Sequence, residues 1–123
     1  LIFISIWEDI MAIQVMIKRR VHQGRQAKEL VPLLLRMRAQ AMFQPGYISS
    51  ETWCDWEHPG DCIVISKWET VDDWNRWKHS EDRTMLDRKI EMLIKEPAQY
   101  HIYSPMVARD EHRESIRITK KSN

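Results

Sequence analysis

Trp68, Trp74 and Trp77 fall within one short stretch, Val64-Ile65-Ser66-Lys67-Trp68-Glu69-Thr70-Val71-Asp72-Asp73-Trp74-Asn75-Arg76-Trp77-Lys78-His79-Ser80. They are half of the chain's six tryptophans. Tryptophan buries a large flat surface and still carries a polar N–H. Such a cluster either anchors a helix or walls a pocket for a planar ligand. Tyr47 and Trp53 extend the aromatic set and suit the pocket or a seam between subunits equally well. His79 and His101 are the imidazoles placed to act as a general base near neutral pH. Arg19, beside Arg20, could bind a substrate anion or carry the charge of an oxygenated intermediate. Together these residues describe a flat molecule held by rings, deprotonated by an imidazole and stabilised as an anion by a guanidinium.

Each has a plainer alternative. Trp68 could be a core residue packed beneath the following helix. Trp74 and Trp77 read as the docking face of that helix. His79 and His101 could be polar or capping groups, and neither has a carboxylate at a telling spacing. His58, in a Pro-Gly loop, reads as exposed, and His22 carries no signal. A basic pair at a strand end is usually solvated.

Several other chemistries leave no trace. With three glycines the chain has no phosphate-cradling loop, and neither HExxH nor a nucleophile elbow occurs. No metal or bound cofactor is expected. The net charge of +1 with 30% charged residues argues against nucleic acid as a partner. Cys54 and Cys62 flank a turn and could bridge neighbouring strands, but the expectation is two reduced, partly buried thiols. No segment approaches the ~18 apolar residues of a membrane span. The opening Leu1-Ile2-Phe3-Ile4-Ser5-Ile6-Trp7 lacks a basic flank and runs into Glu8-Asp9, unlike a signal peptide. The expectation is a soluble cytoplasmic protein.

Residues 1–11 are an extension or an extra edge strand. Residues 12–21 alternate Ile13, Val15 and Ile17 against Gln14, Met16 and Lys18, which predicts a strand. From 25 to about 43 the period changes: Leu30, Leu34, Met37 and Ala41 share a helical face, complicated by Pro32. Pro45-Gly46 turns the chain, and residues 47–56 and 62–68 form an antiparallel hairpin. Thr70 caps a helix, and Ser80 looks like a second cap that breaks it near His79. The next helix runs to about 95 through Leu86, Ile90 and Ile94, and residues 98–103 are a last strand. Residues 105–123 form a charged tail in which 116–119 alternate.

Strand, helix, strand, strand, helix, strand is a split βαβ unit used twice, an α+β ferredoxin-like βαββαβ domain over residues 12–104. Both helical regions cover one sheet face. The hairpin leaves neither face plainly solvated, so the second face needs a cover, and the simplest cover is a second copy in a homodimer.

The opening strand ending in Arg19-Arg20, the Pro45-Gly46-Tyr47 turn, the run from Val64 through Ser80 and the closing Glu96-Pro97-Ala98-Gln99-Tyr100-His101-Ile102-Tyr103 resemble the antibiotic-biosynthesis monooxygenase family. The resemblance implies a dimeric α+β barrel of ferredoxin-like subunits. It also implies oxidation of a small aromatic or quinol-like molecule by O2 with no bound flavin or metal. Trp68, Tyr47 and Trp53 would then bind substrate, with His101 or His79 as base and Arg19 as charge stabiliser. Other members of the family degrade haem with an asparagine in the first strand, a tryptophan ending the third strand and a haem-ligating histidine in the next helix. Trp68 matches the tryptophan, whereas the other two positions fall on Arg19 and Asp87. Haem is therefore disfavoured, unless His79 or His101 supplies the ligand from another position. From a different class stands a non-catalytic dimeric binding module whose tryptophans are core and interface.

Overall fold

The computed structural model describes residues 11–22 and 25–106. The extension at residues 1–10, the turn at 23–24 and the alternating segment at 116–119 lie outside the described residues. Strand β1 (Ile13–Arg20) leads to helix α1 (Arg25–Ala41), the hairpin β2 (Tyr47–Cys54) and β3 (Asp61–Trp68), helices α2 (Val71–Lys78) and α3 (Glu81–Ile94), and strand β4 (Gln99–Tyr103). The sheet order is β2-β3-β1-β4 with every neighbouring pair antiparallel. This is the ferredoxin-like α+β arrangement that the element order predicts.

One sheet face carries the core. Ile13, Val15 and Ile17 of β1 and Trp68 of β3 pack with Leu30 and Met37 of α1, Trp74 and Trp77 of α2, and Leu86 and Ile90 of α3. Period-two alternation in the strands and a 3.6-residue period in the helices place these residues together. Helix α1 runs unbroken through Pro32, which is exposed.

The break between α2 and α3 forms because each helix has its own N-cap. Thr70 Oγ1 accepts the Asp73 N–H at α2, and Ser80 Oγ accepts the Arg83 N–H at α3. Ser80 has extended backbone (φ −64°, ψ 151°), which a continuous helix cannot contain. The cap also ties α2 to α3, because the Ser80 hydroxyl donates to Trp77 O at 2.8 Å.

The cysteines depart from expectation. Cys54 and Cys62 are register partners on β2 and β3, with Cα atoms 4.1 Å apart, and form a disulfide rather than two free thiols. Direct opposition across the hairpin is what brings the two sulfurs together.

Candidate active site

The tryptophan cluster builds one wall of an internal cleft between α1 and the sheet. Trp68 ends β3 and is fully buried. Its indole N–H donates to Ser66 Oγ at 3.0 Å, so the buried donor is satisfied within its own strand. Tyr47 meets Trp68 edge-on at 5.5 Å between ring centroids, and Trp74 meets it at 5.8 Å. The Tyr47 hydroxyl and Ser50 Oγ are 2.7 Å apart.

A cavity of about 290 Å³ opens beside these rings, lined by Tyr47, Trp68, Trp74, Arg19, Arg38 and Arg83 among others. A second lobe of about 300 Å³ shares Ile17, Arg19, Val31, Leu34, Thr52 and Val64 with the first. Each lobe stands near the ~300 Å³ lower bound of small-molecule pockets. Apolar walls with few polar groups suit a flat organic ligand.

Arg19 is 8% exposed and makes an ion pair with Asp87 of α3, Nη2 to Oδ1 at 3.2 Å. It alternates with Ile13, Val15 and Ile17 on β1, so its side chain belongs to the helix-covered face. Arg83 is 2% exposed, and its Nη2 donates to the Tyr100 hydroxyl at 2.9 Å. Its guanidinium lies 5.2 Å from the Trp74 ring centroid and 5.4 Å from that of Tyr100. Arg83 carries no motif that marks it in the sequence. The available signal was its place on the apolar stripe of α3 with Leu86, Ile90 and Ile94.

The remaining candidates lie elsewhere. A register shift between Tyr47 and Ser49 inserts one residue into β2. That bulge changes which side of the strand each later residue occupies. Tyr47, Ser50, Thr52 and Cys54 therefore share the cleft face, while Trp53 lies on the open sheet face, 57% exposed. Tyr47 and Trp53, grouped together by simple alternation, are thus on opposite faces. His101 pairs with Met16 on the open face and stacks on Tyr103 at 6.3 Å. His79 is the exposed C-cap of α2, its Nδ1 2.8 Å from Asn75 O. Neither histidine lines the cleft; His22, at the end of β1, lines the second lobe. The Val21 N–H donates to Gly60 O at 2.6 Å, which holds the chain at His22 against the hairpin loop.

The residue set by which the resemblance describes haem degradation is not completed here. Of the two positions at which the resemblance implies asparagine and a ligating histidine, one supplies the guanidinium and the other the carboxylate of the Arg19–Asp87 ion pair. No group of three or more metal-ligating side chains occurs among the described residues. No helix among them is long and apolar enough to cross a membrane.

A family model described as antibiotic biosynthesis monooxygenase matches residues 12–84. No curated protein matches significantly. Among solved structures, the fold is similar to a conserved protein from Methanosarcina mazei Go1, at 15% identity and TM-score 0.73, over 80% of this chain and 97% of that one. It is similar to SnoaB from Streptomyces nogalater, a cofactor-independent oxygenase, at 16% identity and TM-score 0.66, over 76% of this chain and 91% of that one. It is also similar to Rv0793 from Mycobacterium tuberculosis, at 13% identity and TM-score 0.68, over 77% and 95%. At these identities the likeness is one of fold.

Proposed function

The chain belongs to the antibiotic biosynthesis monooxygenase family, and from that premise we propose that it transfers oxygen from O2 to a small aromatic or quinol-like molecule without a bound cofactor. The observation that carries this reading is the cleft of about 290 Å³ walled by Trp68, Tyr47 and Trp74 with Arg19 beside them. SnoaB, with the same fold, is a cofactor-independent oxygenase, which supports the reading.

In this reading Trp68 and Tyr47 hold the ring. Arg19 stabilises negative charge as it develops against the largely apolar lining. Cofactor-free oxygen transfer needs a substrate that ionises to a carbanion or phenolate and can itself reduce O2. A deprotonated methylene gives its electrons to O2, a C–O bond forms, and loss of water from the hydroperoxide leaves a ketone. One CH2 and one O2 thus become C=O and H2O. His22, the imidazole lining the second lobe, takes the base role that sequence reading placed on His79 or His101.

The open sheet face supports a homodimer. Met16, Ile63 and Ile65 are half-buried there, with Trp53 and Tyr103 exposed around them. A second copy laid on this face would cover them. Trp53 and His101 would then stand in the seam between copies.

One observation favours the alternative of a binding module: the lining of the aromatic lobe contains no carboxylate and no imidazole. Oxygen uptake separates the two. The purified protein is titrated with hydroxylated anthracenes and naphthoquinols while tryptophan fluorescence and O2 are recorded. Saturable quenching with protein-dependent O2 consumption, both weakened in Trp68→Phe, supports the monooxygenase. Quenching without O2 consumption supports the binding module.

A further inference from the structure

We infer that the cleft selects aromatic molecules bearing an anionic oxygen, and that Arg83 is the residue that reads it. This rests on the proposed function for the location of the ligand, and extends it to the ligand's charge. The lining of the aromatic lobe holds three guanidinium groups, Arg19, Arg38 and Arg83, and no Asp or Glu. Two of the three carry local compensation. Arg19 is paired with Asp87, and Arg38 is exposed and donates to Ser50 O at 3.3 Å. Arg83 is different. It is 2% exposed, and among the described residues it has no carboxylate partner.

Its neighbours compensate only in part. One Nη group donates to the Tyr100 hydroxyl, and the faces of Trp74 and Tyr100 lie against the guanidinium. Its buried Nε has no acceptor. Lys78 Nζ stands 4.5 Å over the same Tyr100 ring and adds a further positive charge. A buried cation is normally paired with an anion, because leaving water costs it heavily. Here the fold supplies rings instead, and the residue that carries this charge is part of the cavity lining. An aryl carboxylate or an ionised phenol would supply the missing negative charge while its ring packs on Trp68 and Tyr47. Arginine suits either group, since its planar fork binds one oxygen or two.

The test measures binding, so it does not depend on catalysis. Wild-type protein is titrated with 2-naphthoate, with neutral 2-naphthamide of the same shape, and with 2-hydroxy-1,4-naphthoquinone, which is ionised at neutral pH. The expected result is binding of an anionic probe at least tenfold tighter than the amide. Arg83→Met should abolish that preference while leaving amide affinity within twofold, and Arg83→Lys should retain part of it. Preference for the naphthoate alone assigns a carboxylate; preference for the quinone alone assigns an ionised phenol. Equal affinity for acid and amide, no binding of any probe, or a preference that survives in folded Arg83→Met overturns the inference. The wild-type comparison stands even if Arg83→Met fails to fold. Anion preference with no O2 uptake on the hydroxylated anthracenes and naphthoquinols counts against the monooxygenase reading alone, and O2 uptake on a neutral quinol without anion preference sinks this one alone.

Discussion

Arg19 of β1 and Asp87 of α3, 68 residues apart in sequence, meet at 3.2 Å across the helix–sheet interface beside the cleft. Their side chains are 6% and 20% exposed, so neither charge is well solvated. Removing one partner of such a pair strands the other, at a typical cost of about 3 kcal/mol. Asp87→Asn should therefore lower unfolding stability by that order in urea denaturation. The double variant Arg19→Met/Asp87→Leu should recover more than half of the loss, because it removes both charges. If Asp87→Asn alone leaves the urea midpoint unchanged, the pair contributes nothing to the fold.

Trp68 and Ser66 allow stability to be separated from ligand binding. Ser66→Ala removes the acceptor of the Trp68 indole N–H in a buried setting, an expected loss of about 1–3 kcal/mol. Trp68→Phe also loses ring volume facing the cleft, so it should weaken probe binding as well as stability. The check is a thermal scan beside a fluorescence titration, with Trp74 and Trp77 still reporting in the phenylalanine variant. Ser66→Ala should keep at least half of the wild-type affinity. Equal loss of affinity in both would mean that Trp68 acts on the ligand only through the fold.

The open sheet face gives a prediction about assembly. Ile65 pairs with Met16 across β3 and β1 and lies beside Glu51 of β2 on that face. A charge at its centre would oppose burial against a second copy. Ile65→Lys should shift the sedimentation coefficient from dimer to monomer with little change in helix content. A wild-type protein that sediments as a monomer at tens of micromolar would remove the homodimer from the proposed function.

The order of elements was legible in the sequence because apolar spacing changes from two to about four residues at each junction, and because Thr70 and Ser80 mark the helix starts. Trp68 stood out as the ring that ends β3, whereas the facing of Arg19 stayed open, because a basic pair at a strand end is as readily solvated as turned inward. Tyr47 and Trp53 were not separable, because the bulge between them leaves no residue-type signature at Ile48 and reverses the face of everything that follows. Arg83 was hidden by its charge: a cation on an apolar helix stripe reads as an outlier until Trp74 and Tyr100 are seen against it. The role of His22 depends on how the hairpin loop folds back to the end of β1, a contact made through backbone atoms that no side chain announces.

Gly46 occupies the left-handed region at φ 82°, and an added Cβ would run into the Asp73 carboxylate. That carboxylate already accepts the Thr70 hydroxyl and pairs with Arg76 at the start of α2. Gly46→Ala therefore combines a backbone penalty of about 1 kcal/mol with displacement of the cap of α2, the helix that carries Trp74 and Trp77. A drop in melting temperature together with weaker probe binding is expected. Intact probe binding at reduced stability would show that α2 holds the cleft wall without its cap.

Asp55 lies between the two cysteines in the hairpin loop and is exposed, yet its carboxyl is held below the ordinary carboxylate range. The main cause is the backbone N–H of His58, followed by that of Glu57, which donate to Oδ1 at 2.9 and 2.8 Å. The folded protein therefore binds this proton less readily than the unfolded chain does. Its contribution is fully present above the unfolded value of about 3.9 and is lost as pH falls through the depressed folded value. Asp55→Asn keeps an oxygen to accept the two N–H groups but does not titrate. Wild-type protein should thus lose more melting temperature between pH 6 and pH 3 than Asp55→Asn, with the difference confined to the acid end of the series. Coincident curves across that range would mean that the loop opens without cost, and that the Cys54–Cys62 bridge rather than Asp55 sets the shape of the hairpin.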